Sequence, residues 1–402
     1  MHPIRLGLFA ESPIYYQAPL YRRLAEDPRL DFTAIFASSE GARPTDSGYG
    51  QPVSWGVDVL GGYRSVFLRK ASSRRAGEAP GVVAALDLVQ KLRTQHFEVL
   101  WLHGYASIAH VFGRVFQGVA RRPTLFREEQ TLLEPRPLWR AAVKAAGLPV
   151  LFRGVHALYI GSNNRAWFRH YGVPDSHLHH APYCVDNPRF QEFARRYAGE
   201  RAQLRQAFGV RSEGGPVILT VGRLIEKKQP QFLLEAFARV RRLRPCTLLF
   251  VGSGVWEARL RATIAEQGIP DVIFAGFLDQ NNVSRAYACA DIFALTSRSR
   301  ETWGVVVNEA MNFALPIVAS DHVGCAADLV HEGQNGFVVP IDGVGELTDR
   351  LTRLLESEDL RRRLGAASRT IIEEWRYERA AAGVIEAVQA AVGPARWADA
   401  SA

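Results

Sequence analysis

Two doubly wound α/β domains in tandem are what this sequence predicts, on three observations. The chain has 402 residues, too long for one ordinary domain and suited to two of roughly 150–200 residues each. Apolar residues make up 47% and charged residues 22%, so each half can bury a core and the chain is not of a disordered type. Short β-branched runs alternate with helix-patterned segments throughout, the pattern of βαβ units and a parallel sheet.

In the first half, Ile4–Phe9 reads as a strand and Ala18–Ala25 as a helix opened by Pro19. Phe32–Ala37 is a strand. The polar stretch from Ser38 to Gly81 is loop around a strand near Tyr63–Leu68. Then follow helix Val82–Arg93, strand Val99–Leu102, helix Ser107–Ala120 and strand Thr124–Phe126. Helix Pro137–Ala146, strand Ala157–Ile160 and helix Asn163–His170 complete this half.

The second half repeats the plan. Its predicted strands are Val217–Val221, Thr247–Val251, Val272–Phe274, Asp291–Leu295, Pro316–Ser320 and Phe337–Val339. Between them lie helices Pro230–Leu243, Trp256–Gln267, Val283–Ala290 and Val305–Phe313; helices Gly345–Leu355 and Leu360–Glu374 follow, and Tyr377–Val392 is the last. The boundary falls between about Asn187 and Gly215. Taken at 190, it gives domains 1–190 and 191–376, with 377–402 as a separate tail. Two such domains place a ligand cleft at the carboxyl ends of both sets of strands.

Composition excludes several classes. The four cysteines, Cys184, Cys246, Cys289 and Cys325, are scattered without a Cys-x-x-Cys pair. That argues against a zinc site or disulfide framework and fits a reducing compartment. Ile4–Phe9 is too short for a signal-peptide core and is followed by Glu11. The longest apolar candidate, Val99–Ala120, is interrupted by His103, His110 and Arg114, so no transmembrane span is expected. The expectation is a cytoplasmic protein. Residues 1–190 hold 23 Lys and Arg against 15 Asp and Glu, whereas the remainder holds 26 of each. The excess charge fits either an ordinary solvated surface or a face for an anionic acceptor or for the inner surface of a membrane. Nucleic acid is not expected, because the arginines are not interleaved with aromatics as in a known module.

Two sets of residues carry chemistry. Gly222-Arg223-Leu224 follows a strand, and Lys228 stands just before Pro230 at a helix start. A strand end, two cations and a helix N-terminus suit a diphosphate, although an exposed loop with two cations has the same pattern. The second set follows strand Asp291–Leu295. Glu301 closes a polar loop, Trp303-Gly304 opens a helix, and Glu309 lies in its second turn. Free N–H groups at that helix start can bond a phosphate or a sugar hydroxyl, and Gly304 admits close approach. Glu309 can take two vicinal hydroxyls, as ribose presents; two acids near a helix N-terminus are also favoured by the dipole alone.

The run from Thr296 to Asp321, containing Glu301-Thr-Trp-Gly-Val-Val-Val-Asn-Glu309, resembles the Glu-x7-Glu signature of retaining glycosyltransferases of family 4, which have the GT-B fold. Gly222-Arg-Leu-Ile-Glu-Lys-Lys228 is similar to that family's phosphate loop. The resemblance is dense over Val217–Pro340 and looser over the first half. Trp375-Arg-Tyr-Glu378 resembles the point where the final helix crosses back to the N-terminal domain. The resemblance implies a GT-B fold, with two Rossmann-like domains facing across a cleft.

It also implies roles. Arg223 and Lys228 would neutralise the departing diphosphate, and stabilising developing charge is usually what lowers such a barrier most. Glu309 would hold the ribose, and Glu301 the donor sugar, beside the backbone of Trp303, Gly304 and Val305. Phe277 and Leu278 would lie near the base. His103, at the end of its strand, matches a histidine near the donor sugar. Arg127 and Glu128, followed by Glu129, occupy another strand end and are the candidate acceptor contacts. The implied activity is transfer of a sugar from a UDP- or GDP-sugar with retention of configuration, in envelope polysaccharide, glycolipid or glycoconjugate synthesis. No cofactor and no metal are expected: there is no Asp-x-Asp at a strand end, and His177, His179 and His180 lack further ligands in metal spacing. The acceptor would be a sugar, a lipid-linked group or a small molecule. Two rivals stand beside this reading: a nucleotide-sugar epimerase or hydrolase on the same fold, and a non-catalytic sugar-nucleotide binding protein.

Three departures from the family pattern stand out. Glu11-Ser-Pro-Ile-Tyr-Tyr-Gln replaces a Gly-Gly loop, Ala314 replaces a common glycine, and Gly324-Cys325 replaces Gly-Gly.

Overall fold

The computed structural model describes residues 2–40, 42, 55–69, 81–133, 137–211, 213–299 and 301–401. They form two compact units, one of 2–40, 42, 57–69, 81–133, 137–183 and 377–401, the other of 55–56, 184–211, 213–299 and 301–376.

The first unit begins β1 (Ile4–Ala10), α1 (Ala18–Glu26), β2 (Leu30–Phe36), β3 (Arg64–Phe67) and α2 (Val82–Gln95). It continues β4 (Val99–His103), α3 (Ile108–Val119), β5 (Thr124–Arg127), α4 (Leu138–Leu151), β6 (His156–Tyr159), α5 (Ser162–His170) and β7 (Leu178–His180). Among the described residues its seven strands pair in the order β3-β2-β1-β4-β5-β6-β7, all in parallel. Strands buried on both faces explain the near-continuous apolar runs of β1, β2 and β4. Ser107 caps α3 by accepting from the His110 amide.

The second unit contains α6 (Asn187–Tyr197), α7 (Arg201–Ala207), β8 (Val217–Val221), α8 (Pro230–Leu243), β9 (Thr247–Val251) and α9 (Glu257–Gln267). Then come β10 (Val272–Phe274), α10 (Val283–Cys289), β11 (Ile292–Leu295), α11 (Val305–Asn312), β12 (Ile317–Ser320) and α12 (Ala326–Leu329). It ends with β13 (Gly336–Val339), α13 (Val344–Glu356) and α14 (Glu358–Ile371). Its parallel strands are ordered β10-β9-β8-β11-β12-β13, the order of a Rossmann sheet. The last helices, α15 (Tyr377–Val392) and α16 (Pro394–Ser401), return to the first unit, where α15 packs on α1, β6 and β7.

The structure differs from the sequence reading in places. Chain passage from one unit to the other lies at Tyr183–Cys184, not at 190, because α6 packs on α10 and α11. Helices α6 and α7 occupy a stretch read as boundary, since few of their side chains are apolar and buried. Helix α4 passes the expected stop at Ala146 and includes Pro149. Arg114 donates to the carbonyls of Leu151 and Arg153 at its end. Strand β7 carries two of the three histidines, and the cluster is held by stacking and by one hydrogen bond, His156 Nδ1 to His179 Nε2 at 3.0 Å. His156 and His177 lie face to face at 4.3 Å, and His180 stacks on Tyr159 at 4.9 Å. Among the described residues no group of three His, Cys, Asp or Glu is arranged to hold a metal.

Ala314 adopts φ +53°, a left-handed conformation that costs an L-residue with a Cβ roughly 1–2 kcal/mol. Ala314→Gly should therefore raise stability by about 1 kcal/mol after the entropy of the unfolded glycine is subtracted. In a thermal melt that is an upward shift of about 2–4 °C; an unchanged or lower midpoint would contradict the assignment of strain.

Candidate active site

The second sheet reverses direction of growth between β8 and β11, and the crevice outside the carboxyl ends of these strands is where open α/β sheets bind ligands. Val221, Gly222, Arg223 and Lys228 line one side of it, Leu295 and Thr296 the other. Past β8 the chain stays paired with the end of β9, through Gly222 N to Val251 O (2.9 Å) and Leu224 N to Ser253 O (2.9 Å). One turn at 226–228 then delivers Lys228, and Gln229 at φ +46° starts α8 with Pro230 at its first position.

The loop after β11 is stitched to that turn. Thr296 Oγ1 donates to the carbonyls of Lys228 (3.2 Å) and Gln229 (3.3 Å), and Arg298 N donates to Lys227 O (2.8 Å). The Lys228 ammonium donates to the Glu301 carboxylate, and Ser297 Oγ donates to the same oxygen at 2.9 Å. Both side chains are largely buried, 18% and 13% exposed. Burial first, and then the like charges of Lys227 and Arg223, push the Lys228 ammonium down to about 7; the ion pair with Glu301 acts the other way. Arg223 stands half-buried in the same crevice. A cationic crevice at a helix N-terminus is therefore present, with its lysine short of solvation.

Glu301–Trp303 is held by the segment after β12. Gly324 N donates to Glu301 O (2.8 Å) and Cys325 N to Trp303 O (2.9 Å). A Cβ at position 324 would overlap the Thr302 carbonyl, so only glycine lets the two strands of chain pass. Cys325, the departure at the next position, is buried, and burial pushes its thiol up. Gly304 then turns the chain into α11 at φ +97°, a conformation that suits glycine. Trp303 is a pillar of the core: its Nε1 donates to Asn308 Oδ1 (2.9 Å) and its ring lies 5.0 Å from Trp375. Only its backbone belongs to the loop surface. Val305 is half-buried at the start of α11. Glu309 lies a turn deeper, 1% exposed, and accepts from Tyr287 Oη at 2.7 Å. The tyrosine fixes its carboxylate, a partner that the spacing of the two glutamates did not announce.

Phe277 and Leu278 follow β10, at the far edge of the sheet, outside the lining of the crevice. The Phe277 ring packs edge-to-face with Trp55 at 5.9 Å.

The first unit has its own strand-end cluster. His103 closes β4, next to the point where that sheet reverses between β1 and β4. Its Nε2 lies 3.4 Å from both Glu129 Oε1 and Tyr183 Oη, and Tyr183 donates to Glu129. Its carbonyl accepts from His110 Nε2 (2.9 Å), while His110 Nδ1 pairs with Ser107 Oγ (2.6 Å). Burial lowers His110 to about 4, so it is neutral at pH 7. Asn164 fixes the loop after β5 by donating to the carbonyls of Glu128 and Gln130, both at 2.8 Å. Burial, and then repulsion from Glu129, raise Glu128 to about 7. Glu11, in the segment that replaces Gly-Gly, lies close enough for His103 to oppose its burial-raised pKa, and Tyr16 packs on Tyr183 at 5.4 Å.

Arg127 corrects an expectation. It is completely buried, donates to Ala181 O (2.8 Å), and lies over the Tyr183 ring at 4.5 Å. It supports the cluster from below, closed off from the strand-end edge where Glu128 and Glu129 stand half-buried.

Comparisons with known proteins bear on the second unit's sequence and on the fold. The profile described as Glycosyl transferases group 1 matches residues 203–371. The chain is 32% identical over 185 residues to the alpha-D-kanosaminyltransferase of Streptomyces kanamyceticus, covering 46% of this chain and about half, 47%, of that protein. It is 29% identical over 314 residues to a Mycobacterium tuberculosis protein, covering 75% of this chain and 78% of the relative. That protein is a GDP-mannose-dependent alpha-(1-6)-phosphatidylinositol monomannoside mannosyltransferase. Among solved structures, Anabaena HepE in complex with UDP and glucose superposes with a TM-score of 0.69 at 18% identity, over 96% of this chain and 99% of that one. A Rickettsia africae glycosyltransferase does so at 0.72 and 13%, over 96% and 98%. Two Rossmann-like units make this a GT-B fold, and the one that carries the Arg223–Lys228 and Glu301–Glu309 elements is the part that matches the group 1 glycosyltransferase family, over residues 203–371.

Proposed function

We propose that the enzyme moves a hexosyl group from a UDP- or GDP-sugar to a sugar, lipid-linked or small-molecule acceptor, with retention of anomeric configuration and without a metal. The Lys228–Glu301 pair in the β8–β11 crevice carries the reading. Arg223, Lys228 and the start of α8 supply the positive charge that a leaving nucleoside diphosphate needs, in the place where many transferases use a divalent ion. Glu301 and the backbone at Gly304 face the sugar. Retention follows from same-face attack, the departing phosphate taking the acceptor proton. Relatives that use GDP-mannose on phosphatidylinositol mannosides, or that transfer sulfoquinovose, favour a glycolipid acceptor presented at an anionic membrane face.

A melting-point panel of UDP, GDP and their sugars tests the donor. A ligand at one hundred times its Kd adds about 2.7 kcal/mol to stability. Transfer to an acceptor with the donor's anomeric configuration, read by NMR and unchanged by EDTA, is the expected result. Release of free or epimerised sugar without acceptor would instead establish a hydrolase or epimerase.

Two further outcomes follow from the crevice. With Lys228 near 7 in the free protein, a bound diphosphate restores its proton, so UDP binding takes up a proton above that pH. Affinity should be flat below pH 7 and weaken above it, by at most tenfold per unit. Calorimetry in buffers of different ionisation enthalpy reads the uptake, and Lys228→Ala should abolish it; an equal slope in the variant would remove Lys228 from the diphosphate site. Glu301→Gln should lower kcat/KM for transfer by about 100-fold while UDP alone binds within a few-fold of the parent. Full transfer activity in that variant would remove Glu301 from the donor-sugar site, and nucleotide-sugar binding without transfer by the parent would leave only a binding protein.

A further inference from the structure

Helix α3 is folded inside out. Its buried positions are Ala109, His110, Gly113 and Gln117, small or polar residues, with Phe116 partly buried beside them. Its outward face carries Ile108, Val111, Phe112, Val115 and Val119, each exposed and spaced at helical intervals on one side. A surface helix of a globular domain has the opposite arrangement.

Its neighbours repeat the anomaly. On α2, Val82, Val83 and Leu86 are exposed, and on α4 so are Leu138, Trp139, Val143 and Val150. Of the 14 residues of α4 only Leu148 is buried. Twelve of the fifteen exposed large apolar side chains among the described residues sit on these three helices. The helices share one side of the sheet, since the buried Leu88, Ala109 and Leu148 belong to a single core cluster. Helices α2 and α3 pack together, and Arg114 of α3 reaches the end of α4. The outward apolar residues therefore form one face, where scattered singles would need no explanation.

Charge selects the occupant. The three helices carry Lys91, Arg93, Arg114, Arg140 and Lys144. Their sole acid, Asp87, is buried and accepts from the Arg69 amide. Apolar side chains with tryptophan on one face, and basic residues with no exposed acid on the same three helices, match the interface of an anionic bilayer. At 14 residues α4 is about 21 Å long, short of a bilayer core, and no described helix is long and apolar enough to cross a membrane.

We propose that the outward face of α2, α3 and α4 docks the enzyme on an anionic lipid surface, with α3 and α4 lying in its plane. The inference rests on the glycolipid-acceptor reading for its purpose and on the three helices for its substance. It gives part of the basic charge of the first half a location that the count alone did not.

Flotation of the full chain with lipid vesicles tests it. Vesicles of phosphatidylcholine with phosphatidylglycerol should carry the protein, phosphatidylcholine alone should carry little, and rising salt should release it. Val115→Ser with Trp139→Ser and Val143→Ser should cut the bound fraction by at least about tenfold. Arg140→Glu with Lys91→Glu should remove the preference for anionic lipid. Because all five side chains lie outside the core, the melting point and the UDP-induced shift should match the parent. Failure of the parent to bind anionic vesicles while it still binds UDP would overturn the docking face and leave the proposed transfer standing. Vesicle binding by the triple variant equal to the parent's would overturn it as well. So would a concentration-dependent dimer that the triple variant dissolves, because the face would then belong to a second copy.

Discussion

The ion pair between Lys228 and Glu301 is the contact on which the second unit's crevice depends. The two residues stand 73 positions apart and arrive on loops that leave neighbouring strands, β8 and β11. Each is largely withdrawn from water, and a charge so placed is costly without its partner. Such pairs contribute little to net stability, but removing one partner leaves a buried charge uncompensated and is costly. Here the geometry is reinforced by neutral contacts: Thr296 and Arg298 bind the Lys228 turn, while Gly324 and Cys325 bind the Glu301 loop. In the proposed reaction the pair is also the reservoir of charge. Lys228 meets a diphosphate already desolvated, so little solvent reorganisation remains for the moment of bond cleavage.

Much of the second unit was legible in the sequence because its strands are short, β-branched and buried on both faces, and its helices carry their own punctuation. Pro230 and Gly304 mark helix starts that the structure places at the expected residues. The Arg223 to Lys228 and Glu301 to Glu309 motifs are local in sequence, so spacing alone could place them on the loops and helix starts that follow strands. Their mutual contact is not local, and neither is the Tyr287 hydroxyl that holds Glu309. Such partners are supplied by the fold and leave no periodic trace. Arg127 shows the converse: position at a strand end looked like access, but Trp101 and Tyr183 close over the guanidinium, and burial of a side chain depends on what lies above it.

The first unit departs from the family pattern where its own strand-end cluster lies. A Gly-Gly loop after β1 would offer bare backbone. The segment from Glu11 to Tyr16 instead contributes a carboxylate beside His103 and a ring against Tyr183. With Glu128 and Glu129 this edge is acidic, although the unit as a whole is basic. The excess positive charge is therefore segregated from the His103 cluster, and the helical face that bears part of it must be explained separately from that cluster.

Helix α3 links the two. The sequence makes its amphipathic period plain, but a period defines two faces without stating which one turns inward. The structure answers through His103. To brace the β4 end, His110 must point inward and reach the His103 carbonyl at 2.9 Å. That demand selects small neighbours on the inner face: a Cβ at Gly113 would already stand at van der Waals contact, 3.4 Å, from Leu88, Leu100 and Leu102. Once the inward face is occupied by a buried neutral histidine, its capping serine and close packing, Val111, Phe112 and Val115 can only face out. Apolar residues are retained there at a cost in exposed surface that nothing in the fold of this unit recovers, and an anionic lipid surface would recover it by removing them from water.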